Sequence, residues 1–476
     1  MKINVLKFLG SLVIFLLLMT SCKKDNYTKL PINVQKSGGP NDSWIVTKSK
    51  FNSWFEDGKV SLDGEVKPAN SLDFPEDSIN DFNKWSQQMF LWITSPKNST
   101  VVLETPEFYT VSPKDSAGHR DLISHPATKS KTALGLRKLE SEENQAAHDN
   151  NVLMAKDGSL VYYITYVNDV YAQFLQAGQS DSIKYTNSLF PTDKKELDSI
   201  IDFAKSKGHT TLSRNTLAME LKTSWVDLAN IPPANKSDYI TIQAEVPTFD
   251  RTSNTKWTTT GEKLKTLALV GMHIVGSVKG HPEMIWATFE HQHNAPNLEY
   301  DYIDMHGKTQ TNLSDTGNNW LLNSNTSDFT YNISRINYDN SSIIANQDVS
   351  NIISPSNTKR VFAFGNDNSL AKENSKIIAF NNSVRNQLMA GDVRKNYIFI
   401  GAIWTDGRGP NTNNMAGNTF LANSTMETTF QQNGNNCFTC HKDNRHNTPV
   451  TYSLDPNIPN ALSHIYSELK GGKLIQ

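Results

Sequence analysis

Five residues near the C-terminus, Cys437-Phe-Thr-Cys440-His441, bring two thiols and an imidazole together at a spacing that suits several chemistries. The thiols can add across the vinyl groups of a haem, and the adjacent histidine is thereby delivered to the iron as an axial ligand. The same pair can serve as a redox dithiol where it follows a strand and opens a helix inside a βαβ unit. It can also form part of a zinc site, which needs four ligands. Here the motif follows Gln431-Gln-Asn-Gly-Asn-Asn436, which is no strand. Cys437, Cys440 and His441 or His446 lack the second cysteine pair that would complete a zinc tetrahedron. A chance occurrence is the remaining alternative, so the rest of the chain must decide.

The N-terminus decides for haem. Lys2 and Lys7 precede an apolar stretch from Leu9 to Met19, too short and wrongly flanked for an ordinary spanning helix. It ends in Leu18-Met-Thr-Ser-Cys22, which resembles the lipobox of bacterial lipoproteins and implies cleavage before a lipidated Cys22. Covalent haem is attached outside the cytoplasm, so an export signal and a Cys-x-x-Cys-His motif support each other. The chain's three cysteines are then all assigned, with none left for a disulfide framework. Losing Lys2 and Lys7 takes the formal charge from −2 to −4. With no basic stripe, nucleic-acid binding has no electrostatic support. The expected location is the cell envelope, lipid-anchored, at the outer membrane or facing the periplasm.

The motif's position leaves the other side of the iron open. No methionine stands among residues 442–476, so the chain does not end in a complete small cytochrome domain. A second axial ligand must be His446, His464 or a residue of the upstream body, unless the iron is five-coordinate. Leu267-Ala-Leu-Val-Gly-Met-His-Ile-Val275 reads as a strand buried on both faces. Strict alternation puts His273 with Leu267, Leu269 and Val275, and Met272 with Ala268, Val270 and Ile274. A buried histidine must satisfy its ring nitrogens, by iron or by a backbone carbonyl. Glu290, His291 and His293 cluster at the end of the next strand, and the two histidines also suit copper or zinc. The order of preference for a distal ligand is His273, then His291, with Met272 behind and an open site as the alternative.

The elements that must position these groups are read from periodicity. Residues 1–21 are the signal peptide, 22–49 a polar tether, 50–410 an α+β body and 411–476 the haem-attachment segment packed on it. Helices are expected at Asp77–Ile93 and at Asp193–Lys207, the latter capped by Thr192 and stopped by Gly208. Strands are expected at Leu160–Val167, Tyr239–Val246, Thr266–Val275, Met284–Glu290, Arg360–Phe364 and Tyr397–Trp404. Residues 105–157 read as surface excursions, and Thr309–Asn357 as long loops between short strands, punctuated by Trp320, Leu321, Phe329 and Tyr331. Ser424-x-x-Glu427 has the capping-box pattern of a short helix running through Gln432 and ending at Gly434. Trp85, Trp92, Trp225, Trp286 and Trp404 sit among apolar residues and read as core. Strands dominate without a βαβ rhythm, so the fold class is α+β, strand-rich with several helices.

Leu421-Ala-Asn-Ser-Thr-Met-Glu-Thr-Thr-Phe-Gln431, running into the motif, resembles the C-terminus of a bacterial family of exported cytochrome c-like proteins. Trp85–Trp92, Val161–Ile164, Glu220–Trp225, Leu267–Asn294 and Asn396–Trp404 are similar to that family too, and together they span most of the mature chain. The resemblance implies haem binding and export but no particular reaction, and the Asn-rich loops depart from it. The chemistry expected is one covalent haem c, passing electrons to or from a redox partner protein or a small molecule, on a membrane reached through the lipid. A haem-dependent oxidoreductase with a substrate or second-metal site in the body, and a haem-based ligand sensor, are the alternatives. No Gly-x-Ser-x-Gly, phosphate loop, dinucleotide fingerprint or His-Glu-x-x-His motif appears.

Overall fold

The computed structural model describes residues 27–40, 42–74, 80–114, 117–125, 151–179, 190–209, 213–328, 330–339, 341–407, 410, 414–441, 462, 463, 465–469, 474 and 475. Cys22, Phe329, His446 and His464 lie outside the described residues. The body is organised on a 13-stranded sheet. Its main strands are β1 (Phe108–Val111), β2 (Tyr162–Asn168), β3 (Met219–Asp227), β4 (Thr241–Asp250), β5 (Lys256–Val278), β6 (His281–His291) and β7 (Tyr397–Trp404). Across the sheet the order is β7, β6, β5, β3, β2, β1, each pair antiparallel, with β4 paired to the outer part of β5. The described helices include α1 (Asn80–Ile93), α2 (Asp169–Gln179), α3 (Lys194–Ser206) and α4 (Ala371–Arg385), and the architecture is α+β.

The two faces of this sheet differ. On one, Met272 and Ile274 of β5, Phe289 of β6 and Phe399 of β7 pack in one core with Trp85, Met89, Phe90 and Ile93 of α1. Phe90 stacks on Phe289 at 4.3 Å, and Phe380 of α4 meets Phe399 edge-on at 5.4 Å. Each fully buried ring of this kind contributes roughly 2 kcal/mol. On the other face, Val275 and Trp286 belong to a separate core with Tyr171 of α2, Leu197 of α3 and Phe438 of the C-terminal segment. Strict alternation fails along β5. A bulge between Leu269 and Gly271 puts Leu267 and Leu269 in the same core as Met272 and Ile274 rather than on the side of His273. One extra residue on one strand is enough to swap faces beyond it.

Other expectations are corrected by packing and capping. The tether is shorter than expected, because Thr28, Val34, Trp44 and Val46 are buried on the body. Phe108–Val111, expected in a surface excursion, is an internal strand between β2 and Leu122–Ser124. Arg360–Phe364 is not a strand. Arg360 makes an isolated bridge to Asn297, and its buried guanidinium is bonded to Glu290, Thr28 and the carbonyl of Ala295. Satisfying those donors holds the backbone in an irregular path. Asp193 rather than Thr192 caps α3, in a capping box with Glu196, because its carboxylate reaches the Glu196 N–H at 2.8 Å. Gly208 stands at φ +87° just beyond the helix, where glycine avoids a Cβ clash. The stretch after Thr309 does contain short strands, Ile336–Asp339 and Ser342–Ala345, joined as a hairpin.

Candidate functional site

Cys437–Cys440 forms a single helical turn, α5, whose start is fixed by Asn436. The Asn436 side-chain oxygen accepts from the Phe438 N–H at 2.9 Å, and Thr439 Oγ1 accepts from the Asn436 N–H at 3.0 Å. Asn436 Nδ2 also donates to the Thr419 carbonyl at 2.9 Å, tying the turn to the preceding strap. Phe438, inside the motif, is buried and meets the Trp286 ring edge-on at 5.8 Å. Trp286 also lies 4.5 Å from the His441 ring. Its indole N–H is donated to the Glu283 carbonyl at 2.9 Å, so the ring is held as a fixed wall. The motif therefore rests on β6 through one tryptophan, a residue that reads from the sequence as core alone.

His441 is oriented at both ends. Its backbone N–H donates to the Cys437 carbonyl at 2.9 Å, continuing the helical turn. Its Nδ1 lies 3.0 Å from the Leu462 carbonyl. A carbonyl accepts only, so Nδ1 carries the hydrogen and the neutral ring has its lone pair on Nε2. That is the tautomer a metal-binding histidine needs, with the orienting bond already made. Cys437 and Cys440 are not joined by a disulfide. Burial pushes the Cys437 thiol well up, with Glu427 adding to the effect. A raised thiol is the opposite of what a reactive dithiol requires. Among the described residues, no group of three or more His, Cys, Asp or Glu is arranged to hold a metal ion.

Behind the motif lies a cavity of about 490 Å³, within the range of small-molecule and cofactor sites. Cys437, Cys440 and His441 line one side of it. The face of the central sheet lines the other, through Thr165 of β2, Glu220 and Lys222 of β3, His273 and Val275 of β5, and Trp286 of β6. Register explains the grouping, since His273 pairs with Lys222, Lys222 with Thr165, and Val275 with both Glu220 and Trp286. Leu421, Phe430 and Ile465 supply apolar lining from the C-terminal segment. Arg120 and Lys114, each bonded to Glu468 at 2.5 and 2.7 Å, stand among the lining residues as well.

His273 is held by a carboxylate. Its Nε2 lies 3.0 and 3.1 Å from the two oxygens of Glu427. Glu427 does not cap a helix with Ser424, as its spacing predicts. Its carboxylate accepts the Asn423 N–H at 2.9 Å, Ser424 turns away to donate to Glu290, and only a short 3-10 turn follows at Thr428–Phe430. Burial alone would raise the Glu427 carboxyl, but His273, Lys222 and the Asn423 N–H outweigh it and hold it at about 2. Glu220 is displaced the other way, to about 7, by burial that the Ser463 hydroxyl and Lys222 offset only in part. Burial likewise lowers Lys222, against the pull of Glu427 and Glu220.

The other candidates are elsewhere. Met272 faces the opposite core. His291 is buried, stacked on Tyr239 at 3.8 Å, with Nε2 on the Asp238 carbonyl at 3.0 Å and Nδ1 accepting the His293 N–H at 3.4 Å. Glu290 is buried in an ion pair with Arg360 at 2.7 Å. His293 lines a separate cleft beside Trp320. The sequence marks Glu427 only as a helix cap, and it does not mark Lys222 or Glu220 as site residues. One signal for the last two is a pair of charges at i and i+2 on one face of a strand, with Leu221 between them in the opposite core. Another was Gly271, where a Cβ would stand 2.3 Å from Thr425 Oγ1, so that glycine alone lets the 423–427 turn close on β5.

Comparison with protein-family models, with curated proteins and with solved structures returns no match. Among the described residues no helix is long and apolar enough to cross a membrane.

Proposed function

We propose that this chain is a lipid-anchored, exported c-type cytochrome that binds one covalent haem and transfers electrons outside the cytoplasmic membrane. The observation that carries the reading is that Cys437, Cys440 and His441 open together onto one cavity of cofactor size, with His441 already in the iron-binding tautomer. Cys437 and Cys440 would hold the haem, each thiol adding its sulfur and its hydrogen across one vinyl group to give a thioether with no net oxidation. His441 would hold the iron through Nε2. Bound haem supplies a one-electron couple whose potential is set by axial ligands, hydrogen bonds and burial. Trp286, Val275, Phe430 and Ile465 give the site apolar wall, and Arg120 and Lys114 stand at it paired to Glu468.

The test is a denaturing gel stained for haem on protein produced with a haem-attachment system. Wild type retains haem and a Cys437→Ser, Cys440→Ser double variant does not; haem retained by the variant would sink the reading. Electron transfer itself is tested by voltammetry of the holoprotein, where irreversible reduction would count against it. The anchor at Cys22 is tested by incorporation of labelled palmitate, which a Cys22→Ser variant abolishes. A second reading, a haem-dependent oxidoreductase or ligand sensor, draws support from the charged residues Glu220, Lys222 and Glu427 in the same cavity wall.

A further inference from the structure

We infer that His273 is the second axial ligand of the haem and that Glu427 is the residue that positions it and tunes the iron. The inference rests on the haem reading above and adds what lies on the far side of the cavity.

His273 and His441 line the same cavity from different elements, β5 and the C-terminal segment. The contacts at 3.0 and 3.1 Å to the two oxygens of Glu427 engage Nε2 of His273 as a donor and leave Nδ1 as the nitrogen that would meet an iron. A ring nitrogen donated to a carboxylate while the other binds metal is the usual second-shell arrangement of a metal-bound histidine. His441 has the mirror arrangement, with Nδ1 on a carbonyl and Nε2 holding the lone pair. Each histidine thus comes with one nitrogen committed to an orienting acceptor.

Glu427 is itself fixed. It accepts the Asn423 N–H, while the Asn423 side chain donates to Thr288 Oγ1 at 2.8 Å and to the Phe289 carbonyl at 3.1 Å. The turn that carries Glu427 is therefore pinned to β6, and Gly271 lets it approach β5. The two other candidates within the described residues do not compete. Met272 faces the opposite core, and His291 has both ring nitrogens engaged. A carboxylate on the ligand ring makes the imidazole a stronger donor and favours the more positive ferric iron, so Glu427 lowers the reduction potential.

The test uses the holoprotein and reads spectra and potential. Wild type is expected to be low-spin and unreactive to carbon monoxide when reduced. His273→Ala becomes high-spin and binds carbon monoxide, and His273→Met, which keeps a ligand at the position, returns to low spin with a sulfur-to-iron charge-transfer band. Glu427→Gln stays low-spin but its midpoint potential shifts upward. Wild-type protein that already binds carbon monoxide freely, or a His273→Ala variant that stays low-spin, overturns the ligand assignment. An unchanged potential in Glu427→Gln overturns the role given to that carboxylate. Loss of haem from wild type on the denaturing gel would instead strike the haem reading itself, so the two failures are told apart.

Discussion

His273 and His291 stand on adjacent strands of one sheet, and by sequence both suit an iron, yet their surroundings are opposite. His273 is half-buried on the face covered by the C-terminal segment, paired with an ionised carboxylate in a cavity wall. His291 is fully buried, stacked on Tyr239 and edge-on to Tyr397 at 5.1 Å, and burial together with nearby His293 holds it well below the usual histidine range. One ring sits beside a carboxylate at a cavity wall, and the other is enclosed among aromatic rings where a charge is disfavoured. The lesson is that a buried histidine announces a need for partners, while the partner's chemistry decides whether the ring is structural or functional.

The contrast can be broken most sharply at His291. His291→Ala removes a ring from a packed aromatic cluster, and a loss of about 3 kcal/mol in urea denaturation is expected with no change in the haem spectrum. A spectral change of the size seen in His273→Ala would mean that the two sites are not separate. Gly271→Ala comes next, since its new Cβ meets the turn that carries Glu427. A destabilisation of about 2 kcal/mol is expected, with faster hydrogen exchange at residues 421–430. Unchanged exchange there would show that the turn is not seated by Gly271.

The two carboxylates of the cavity give a smaller, signed effect. Glu427 titrates at about 2 in the folded chain against an ordinary 4.5, so between those values the unfolded chain binds the extra proton. Its contribution is fully present above pH 4.5 and is lost as the pH falls toward 2. Glu220 titrates at about 7 when folded, so its contribution is fully present below pH 4.5 and is lost as the pH rises through 7. Urea denaturation across pH should therefore lose its acid-side slope in Glu427→Gln and part of its near-neutral slope in Glu220→Gln. Slopes that change in the same sense for both variants would contradict the opposite environments described here. Trp286→Phe should do least, costing about 1 kcal/mol for the lost bond to the Glu283 carbonyl, with a modest shift of the haem absorption.

Much of the scaffold was legible because burial writes itself as a period. Tyr397–Trp404 matches its strand from end to end, and α3 falls within the expected Asp193–Lys207 with Leu197, Ile200, Ile201, Phe203 and Ala204 buried. Failures cluster where a side chain had more than one partner to choose from. Ser424 and Glu427 have the spacing of a capping box, but a buried oxygen in the folded chain can reach Glu290, Asn423 or His273 instead. Glu290 and His273 are distant in sequence, and no local rule weighs them.

The residues determined by themselves the two thiols and the imidazole at their spacing, and the strand character of the segments around His273 and His291. Short-range chemistry and periodicity suffice for these, since each depends on neighbours a few positions away. Only the tertiary structure decided which histidine faces the motif, because a single bulge between Leu269 and Gly271 sets the faces of β5 beyond it. It also decided that Glu427 serves His273 and that Trp286 backs His441. Such pairings arise from strand register and from a C-terminal segment laid across the sheet, and neither is contained in local spacing.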